Sequence, residues 1–120
     1  MNEKNRISLV IPVFNEEKDI HTLIATINTQ SVQPDEIILV DGGSTDNTVQ
    51  RAADLTKNDP RYSIIEAGRA MPGRGRNIGA KKATGEWIAF TDAGIKLDTH
   101  WLGNLVRTAA LNDNISIIYG

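Results

Sequence analysis

The sequence contains no cysteine, so this chain can form neither a disulfide framework nor a thiolate metal site. Nothing in it points to an oxidising compartment, and the cytoplasm is the expected location. Basic residues are not in excess either, because 13 Lys and Arg stand against 15 Asp and Glu, a formal net charge of -2. Without a positive field the chain is a poor partner for nucleic acid or for an anionic membrane surface.

Long hydrophobic runs are also lacking. No stretch approaches the about 18 consecutive apolar residues of a transmembrane helix, and the polar start at 1–6 differs from a signal peptide. We therefore expect no membrane segment in this chain, and place the full-length protein in the cytoplasm or at the cytoplasmic face of a membrane. The length of 120 residues, with 40% hydrophobic and 23% charged residues, predicts a single domain over 1–120.

Short apolar runs rich in β-branched residues predict five strands, at 7–13, 36–40, 62–66, 87–91 and 115–119. Helical patterns lie between them. We expect the helices to begin after Asn15, after Asp46, near Gly73 and after Asp98, with Asn15, Asp46 and Asp98 as N-caps. Apolar positions of the second helix include Ala52 and Ala53.

This alternation predicts an α/β fold: a three-layer, Rossmann-like, mostly parallel sheet with helices on both faces. The last strand run ends at Gly120 with nothing after it to cover its edge. An uncovered hydrophobic edge invites aggregation, so we expect the natural protein to continue.

In such sheets ligands bind at the carboxyl ends of the strands. The glycine-rich turn of a dinucleotide-binding protein is missing after the first strand, where Phe14 offers a ring to a flat base and Asn15 starts a helix. The alternative is a plain strand-to-helix turn with a core phenylalanine. Asp41 and Asp92 each follow an apolar strand, where a carboxylate can accept from a base N–H or a ribose hydroxyl.

The segment 68–79 contains Gly73, Gly75 and Gly79 at a spacing similar to a dinucleotide motif, but these glycines lie several residues past the strand end at Glu66, so the match is weak. It also carries three cations around a helix start, a pattern that favours phosphate: Arg69, Arg74 and Arg76. A solvated loop with surface arginines is the alternative. Two acids facing a basic loop indicate a site for a nucleotide diphosphate, with or without a divalent metal.

Four segments together resemble the family 2 glycosyltransferases. VIPVFNEE at 10–17 and IILVDGGSTDNT at 37–48 are similar to the first two signatures of that family, and GRNIG at 75–79 with ATGEWIAFTD at 83–92 to the next two. The resemblance implies a nucleotide-diphospho-sugar transferase fold, of which this chain is the N-terminal, nucleotide-sugar-binding part.

The resemblance also implies roles for individual residues. Asp41 reads the base, Arg76 approaches the diphosphate and Asp92 opens the metal motif. The nucleoside pocket is lined by Pro12, Phe14, Asn15 and Glu16. Family members bind Mn²⁺ or Mg²⁺ through a second acid, which Gly94 replaces here, so we expect weak metal binding. The general base is expected beyond Gly120, and no catalytic residue is assigned.

The expected function is inverting transfer of a sugar from a nucleotide-diphospho-sugar donor, a uridine one in most such families, to an unknown acceptor. Alone, this chain is expected to hold the donor without turnover. One alternative is a non-catalytic nucleotide-sugar-binding module. Another is a phospho-acceptor signalling domain of flavodoxin-like topology, since Asp41 ends a strand, but the Gly-Ser-Thr turn that follows argues against it.

Overall fold

A computed structural model describes residues 6–69, 72–110 and 117–119 of the chain. In these ranges strands and helices alternate, as the sequence predicts. The strands are β1 Ile7–Val13, β2 Glu36–Asp41, β3 Tyr62–Glu66, β4 Trp87–Phe90 and β5 Ile117–Tyr119. The helices are α1 Ile20–Asn28, α2 Thr48–Thr56, α3 Pro72–Lys82 and α4 Trp101–Ala110. None of these helices is long and apolar enough to cross a bilayer.

The sheet is parallel throughout, with strand order β3-β2-β1-β4-β5. In register, Val10 of β1 lies opposite Ile38 of β2 and Phe90 of β4. The chain runs outward from β1 in one direction through β2 and β3, then crosses to β4 on the other side of β1. This reversal is the topological switch point at which ligands of open α/β sheets bind.

Two hydrophobic clusters, one on each face of the sheet, form the core. The larger joins one face of β1, β2 and β4 to α1, α2 and α4, with Ile11 and Leu102 among its fully buried members. The smaller lies under α3 and is built around Val10, Val40 and Phe90. Helices on both faces of a parallel sheet are therefore confirmed, and they explain the unbroken apolar runs of β1 and β2.

Helix α3 approaches the sheet closely because glycines face it. A Cβ atom at Gly79 would lie 2.3 Å from Cγ1 of Val10, and one at Gly75 would lie 3.4 Å from Cβ of Pro12. Glycine is a poor helix former. These glycines therefore lower the helix propensity of α3, but they allow the helix to pack close to the strands. The first turns of α3 consequently stand over the carboxyl ends of β1 and β2.

The strand ends differ slightly from their prediction. Asp41 pairs with Glu66 as the last residue of β2 rather than following the strand, and β4 stops at Phe90, one residue early. Of the predicted strand 115–119, residues 115 and 116 lie outside the described residues. These shifts affect only the ends of the strands, so the alternation of side chains between the two faces along each strand is not altered.

The prediction that Asn15 caps the first helix is wrong. Helix α1 begins five residues later at Ile20, with Asp19 in the cap position and no side-chain cap bond. Asn15 instead has a φ of 51°, in the left-handed region that asparagine tolerates better than most residues. Its amide is used by the neighbouring loop, so the chain turns here without starting a helix.

The other two predicted caps are displaced rather than absent. Asn47 occupies the cap position of α2, while Asp46 Oδ1 accepts a hydrogen bond from the Thr48 N–H at 3.0 Å. Before α4, Asp98 Oδ1 accepts from the His100 N–H at 2.7 Å. Ala53, expected to face inward from α2, is exposed, so that helix buries a narrower face than its pattern predicts.

Polar networks close the amino-terminal edge of the sheet. Arg61, just before β3, bonds to Asp59 at 2.7 Å, to Gln33 Oε1 at 2.9 Å and to Asn28 Oδ1 at 3.2 Å. This cluster, called here the Arg61 network, ties the turn before β2 to the turn before β3. Its hydrogen bonds lie at the opposite end of the strands from the switch point.

Candidate functional site

A cleft of about 760 Å³ opens at the carboxyl ends of β1, β2 and β4, a volume typical of small-molecule sites. Its walls come from the loops after the first four strands and from the first turns of α3. Five of the seven predicted substrate-binding residues line it: Pro12, Phe14, Glu16, Arg76 and Asp92. The other two, Asn15 and Asp41, are not among the residues that line it.

Phe14 presents its ring to solvent at the cleft, with 54% of the residue exposed. The alternative of a core phenylalanine is therefore wrong. Burial of a large aromatic side chain is strongly favourable, so an exposed ring beside a cleft has apolar area available for a ligand. A planar base stacked on the ring would cover it.

Asn15 holds the loop after β1 against the loop after β2. Its N–H donates to Ser44 Oγ at 2.8 Å, and its Oδ1 accepts from the Thr45 N–H at 2.8 Å. Two residues on, Glu17 Oε1 accepts from the Asn47 N–H at 2.9 Å. Asn15 thus shapes the cleft through Thr45, which lines it, and direct contact between Asn15 and a ligand stays a prediction.

Glu16 lines the cleft with a half-buried carboxyl group. Burial raises its pKa above the usual value, and the negative charges of Asp19 and Asp46 raise the pKa further. Its own N–H donates to Thr48 Oγ1 at 2.8 Å, which fixes the backbone from which the carboxyl group projects.

The carboxylate of Asp41 is buried and bonded to its own turn. Oδ2 accepts from the N–H groups of Gly43 and Ser44, both at 3.1 Å, and Oδ1 accepts from the Ser44 hydroxyl. A carboxylate has about four acceptor positions, so about one remains for a ligand. Asp41 therefore organises the turn that lines the cleft, and the predicted contact with a base stays a prediction.

Arg76 and Asp92 meet across the cleft, with Nη2 of Arg76 2.6 Å from Oδ1 of Asp92. The side chains are 28% and 48% exposed, so a ligand can reach both. Exposed pairs of this kind contribute little to stability, about 0–1 kcal/mol. The pair can therefore open for a ligand at small cost.

Arg69 is a cleft residue to which the sequence assigned no specific contact. It follows β3 by three residues and lines the cleft beside Gly43. Arg74, from the same group of three cations, is exposed and lies outside the cleft wall. Their positions relative to the strands separate them. Arg69 lies in the loop at the carboxyl end of β3, whereas Arg74 lies in α3.

The sequence matches the family model described as Glycosyl transferase family 2 over residues 8–120. The chain belongs to glycosyltransferase family 2. Apart from Ile7, the first residue of β1, the match covers all the strands and helices described above, including every segment that lines the cleft.

Relatives resemble this chain in sequence, and solved structures share its fold. The Escherichia coli K12 "Uncharacterized glycosyltransferase YibD" is 33% identical over 117 residues, which are 98% of this chain and 34% of that protein. The mannosyltransferase PcManGT from Pyrobaculum calidifontis, in complex with GDP-Man and Mn²⁺, superposes with a TM-score of 0.79 at 26% identity, covering 90% of this chain and 33% of that one. S. aureus TarS 1-349 in complex with UDP-GlcNAc gives 0.76 at 26% identity, covering 90% and 32%. This chain spans about one third of the length of each.

The structure of PcManGT contains Mn²⁺. Among the described residues no group of three or more His, Cys, Asp or Glu side chains could hold a metal ion. Asp92 is already bonded to Arg76, and a Cβ at Gly94 would meet no atom within 4 Å. The described residues therefore do not fit a metal site made by protein alone.

Proposed function

We propose that this chain is the donor-binding part of an inverting glycosyltransferase that transfers a sugar from a uridine-diphospho-sugar to an acceptor hydroxyl. The observation that carries the proposal is the cleft at the switch point of a family 2 chain, with an exposed aromatic ring and an arginine among its lining residues. The TarS neighbour is bound to UDP-GlcNAc, which supports a uridine donor.

The donor would lie along the carboxyl edge of the sheet. The ring of Phe14 offers a stacking face for the base, and the carboxyl group of Glu16 offers an acceptor for a ribose hydroxyl. Arg76, on the second turn of α3, offers N–H donors to the diphosphate, and the free N–H groups at the start of that helix favour the same anion.

The reaction is a direct displacement. The acceptor hydroxyl oxygen forms a bond to the anomeric carbon, the bond from that carbon to the diphosphate oxygen breaks, and the diphosphate leaves with the electron pair. The hydroxyl proton passes to a general base, a role for which no residue of this chain is assigned. The contribution of this chain is to hold the donor and to stabilise the charge on the leaving diphosphate through Arg76.

Titration of the chain with UDP and UDP-sugars, followed by amide NMR, tests the proposal. We expect shifts at Phe14, in the 42–45 turn and around Arg76 and Asp92, and none in the Arg61 network. Shifts confined to the Arg61 network would refute the placement of the site. Binding with neither sugar transfer nor donor hydrolysis in the full-length protein would favour the non-catalytic module. The expected cytoplasmic location stays a prediction.

A further inference from the structure

The residues that follow helix α1 are bonded to the beginning of helix α4. Gln30 is buried, with 5% of the residue exposed, although its side chain is polar. Its Nε2 donates to the carbonyl oxygen of Asp98 at 2.7 Å, and its Oε1 accepts from the N–H of Leu102 at 3.1 Å. Both halves of the amide are therefore used in contacts with residues that lie 68 and 72 positions later in the chain.

The bond to Leu102 caps helix α4. The first N–H groups of a helix have no partner inside the helix, and Leu102 is the second residue of α4. Leu102 is fully buried, so its N–H needs a partner within the protein. The amide of Gln30 supplies that partner, as an N-cap side chain does in other helices.

Two further contacts join the same two segments. The N–H of Ser31 donates to the carbonyl oxygen of Thr99 at 2.9 Å. A Cβ atom at Gly103 would lie 3.2 Å from Cγ2 of Val32, so glycine at this position allows α4 to pack close to the chain after α1. The end of the loop after β4 is consequently held by side-chain, backbone and packing contacts at one place.

The loop that ends at this place begins in the cleft. Asp92 and Gly94 line the cleft, and only the three residues 95–97 separate Gly94 from Asp98. Here the N–H of Ile95 donates to the Asp92 carbonyl oxygen at 3.2 Å, while Ile95 itself is 48% exposed. Three residues span at most about 11 Å. A connection this short absorbs little displacement, so the place of its far end constrains the place of the cleft wall.

We propose that Gln30 is a positioning residue for the nucleotide-sugar donor, because it fixes the far end of the loop that brings Asp92 and Gly94 into the cleft. This inference rests on the proposed function. Gln30 is not one of the residues that line the cleft, and its effect on the donor passes through the loop. A loop that is ordered before the donor arrives costs less to immobilise on binding.

Backbone NMR relaxation of the chain, combined with calorimetric titration with UDP, tests the inference. In Gln30→Ala we expect lower order parameters at Gly94 and Ile95. We also expect UDP to bind about threefold to tenfold more weakly, because the released loop must be ordered on binding. The matched control is Gln33→Ala, which removes a nearby glutamine whose hydrogen bonds go to the end of α1 and to Arg61. It should lower stability while leaving loop order and UDP affinity at their native values.

Gln30→Met separates hydrogen bonding from packing, and it serves in place of Gln30→Ala if the alanine variant does not fold. Methionine fills a similar volume but has no donor and only a weak acceptor, so we expect the same loss of loop order and UDP affinity. Native values of both in Gln30→Met would overturn the inference.

Equal loss of loop order in Gln33→Ala would also overturn the inference, because the loop would then respond to lower stability rather than to Gln30. Failure of the native chain to bind UDP would instead refute the proposed function. The order parameters at Gly94 would still show whether Gln30 holds the loop.

Discussion

Arg76 donates to Asp92 across 2.6 Å, and this contact links helix α3 to the loop after β4 at one end of the cleft. The arginine is therefore partly neutralised before any ligand arrives. A diphosphate must either replace Asp92 as the partner of Arg76 or use the remaining N–H donors of the guanidinium.

Removing the arginine should weaken nucleotide binding more than removing metal does. Arg76→Ala deletes a charge-assisted hydrogen bond and leaves the negative charge of Asp92 facing the diphosphate. We expect a loss of about 1.5–3 kcal/mol in UDP affinity by calorimetry, whereas a chelator that strips divalent ions should change the affinity little. Arg74→Ala is the control. A large chelator effect with an unaffected Arg76→Ala variant would show that an ion supplies the charge compensation.

Restoring an acid beside Asp92 should create metal affinity. Gly94 has no positive φ, and a Cβ there meets no atom within 4 Å, so Gly94→Asp can be built without strain. We expect tighter Mn²⁺ binding in the presence of UDP, measured by electron paramagnetic resonance, because a second carboxylate adds a hard oxygen ligand. Gly73→Asp, at an equally open glycine of α3, should have no such effect. Equal gains in both variants would indicate non-specific attraction.

Asp41 should prove more important for stability than its position at a binding site suggests. Asp41→Ala leaves the N–H groups of Gly43 and Ser44 without their buried acceptor, at a cost of about 1–3 kcal/mol in the free energy of unfolding. Asp41→Asn keeps one carbonyl oxygen and should cost less. Urea unfolding measures both. An alanine variant with native stability would mean that the turn holds without the carboxylate.

The raised pKa of Glu16 predicts a pH-dependent stability. Burial and two nearby acids keep the folded-state pKa above the unfolded value near 4.5, so the folded state binds more protons and the free energy of unfolding falls as pH rises through this interval. Glu16→Gln should therefore be more stable than the native chain at pH 7, and the difference should vanish below about pH 4. Thermal melts between pH 3.5 and 7 provide the measurement. A difference that grows at low pH would contradict the assignment.

The strands and the central layer could be predicted because their signal is local. The runs around Val10 and Ile38 are apolar at every position, and only a strand covered on both faces uses such a run. The start of α1 was misplaced because Asn15 suits two structures, an N-cap and a left-handed turn. The left-handed turn forms here because Asn15 makes hydrogen bonds with Ser44 and Thr45, which are distant in sequence.

For the cleft, the sequence predicted which side chains lie there better than it predicted what each side chain contacts. Phe14, Arg76 and Asp92 lie where strand ends and family signatures indicated. For Asp41, the sequence could not show that the following turn would fold back onto its oxygens, because hydrogen bonds of this kind depend on backbone angles. Arg69 could be distinguished from Arg74 as a cleft residue only when the strand order placed the loop after β3 beside the loop after β2.

The Arg61 network lies at the opposite end of the strands from the cleft, and this separation has a consequence for evolution. Substitutions in the cleft loops leave the hydrogen bonds of Arg61 to Asp59, Gln33 and Asn28 in place. A substitution in the cleft loops can therefore alter ligand preference without loosening the amino-terminal edge of the sheet.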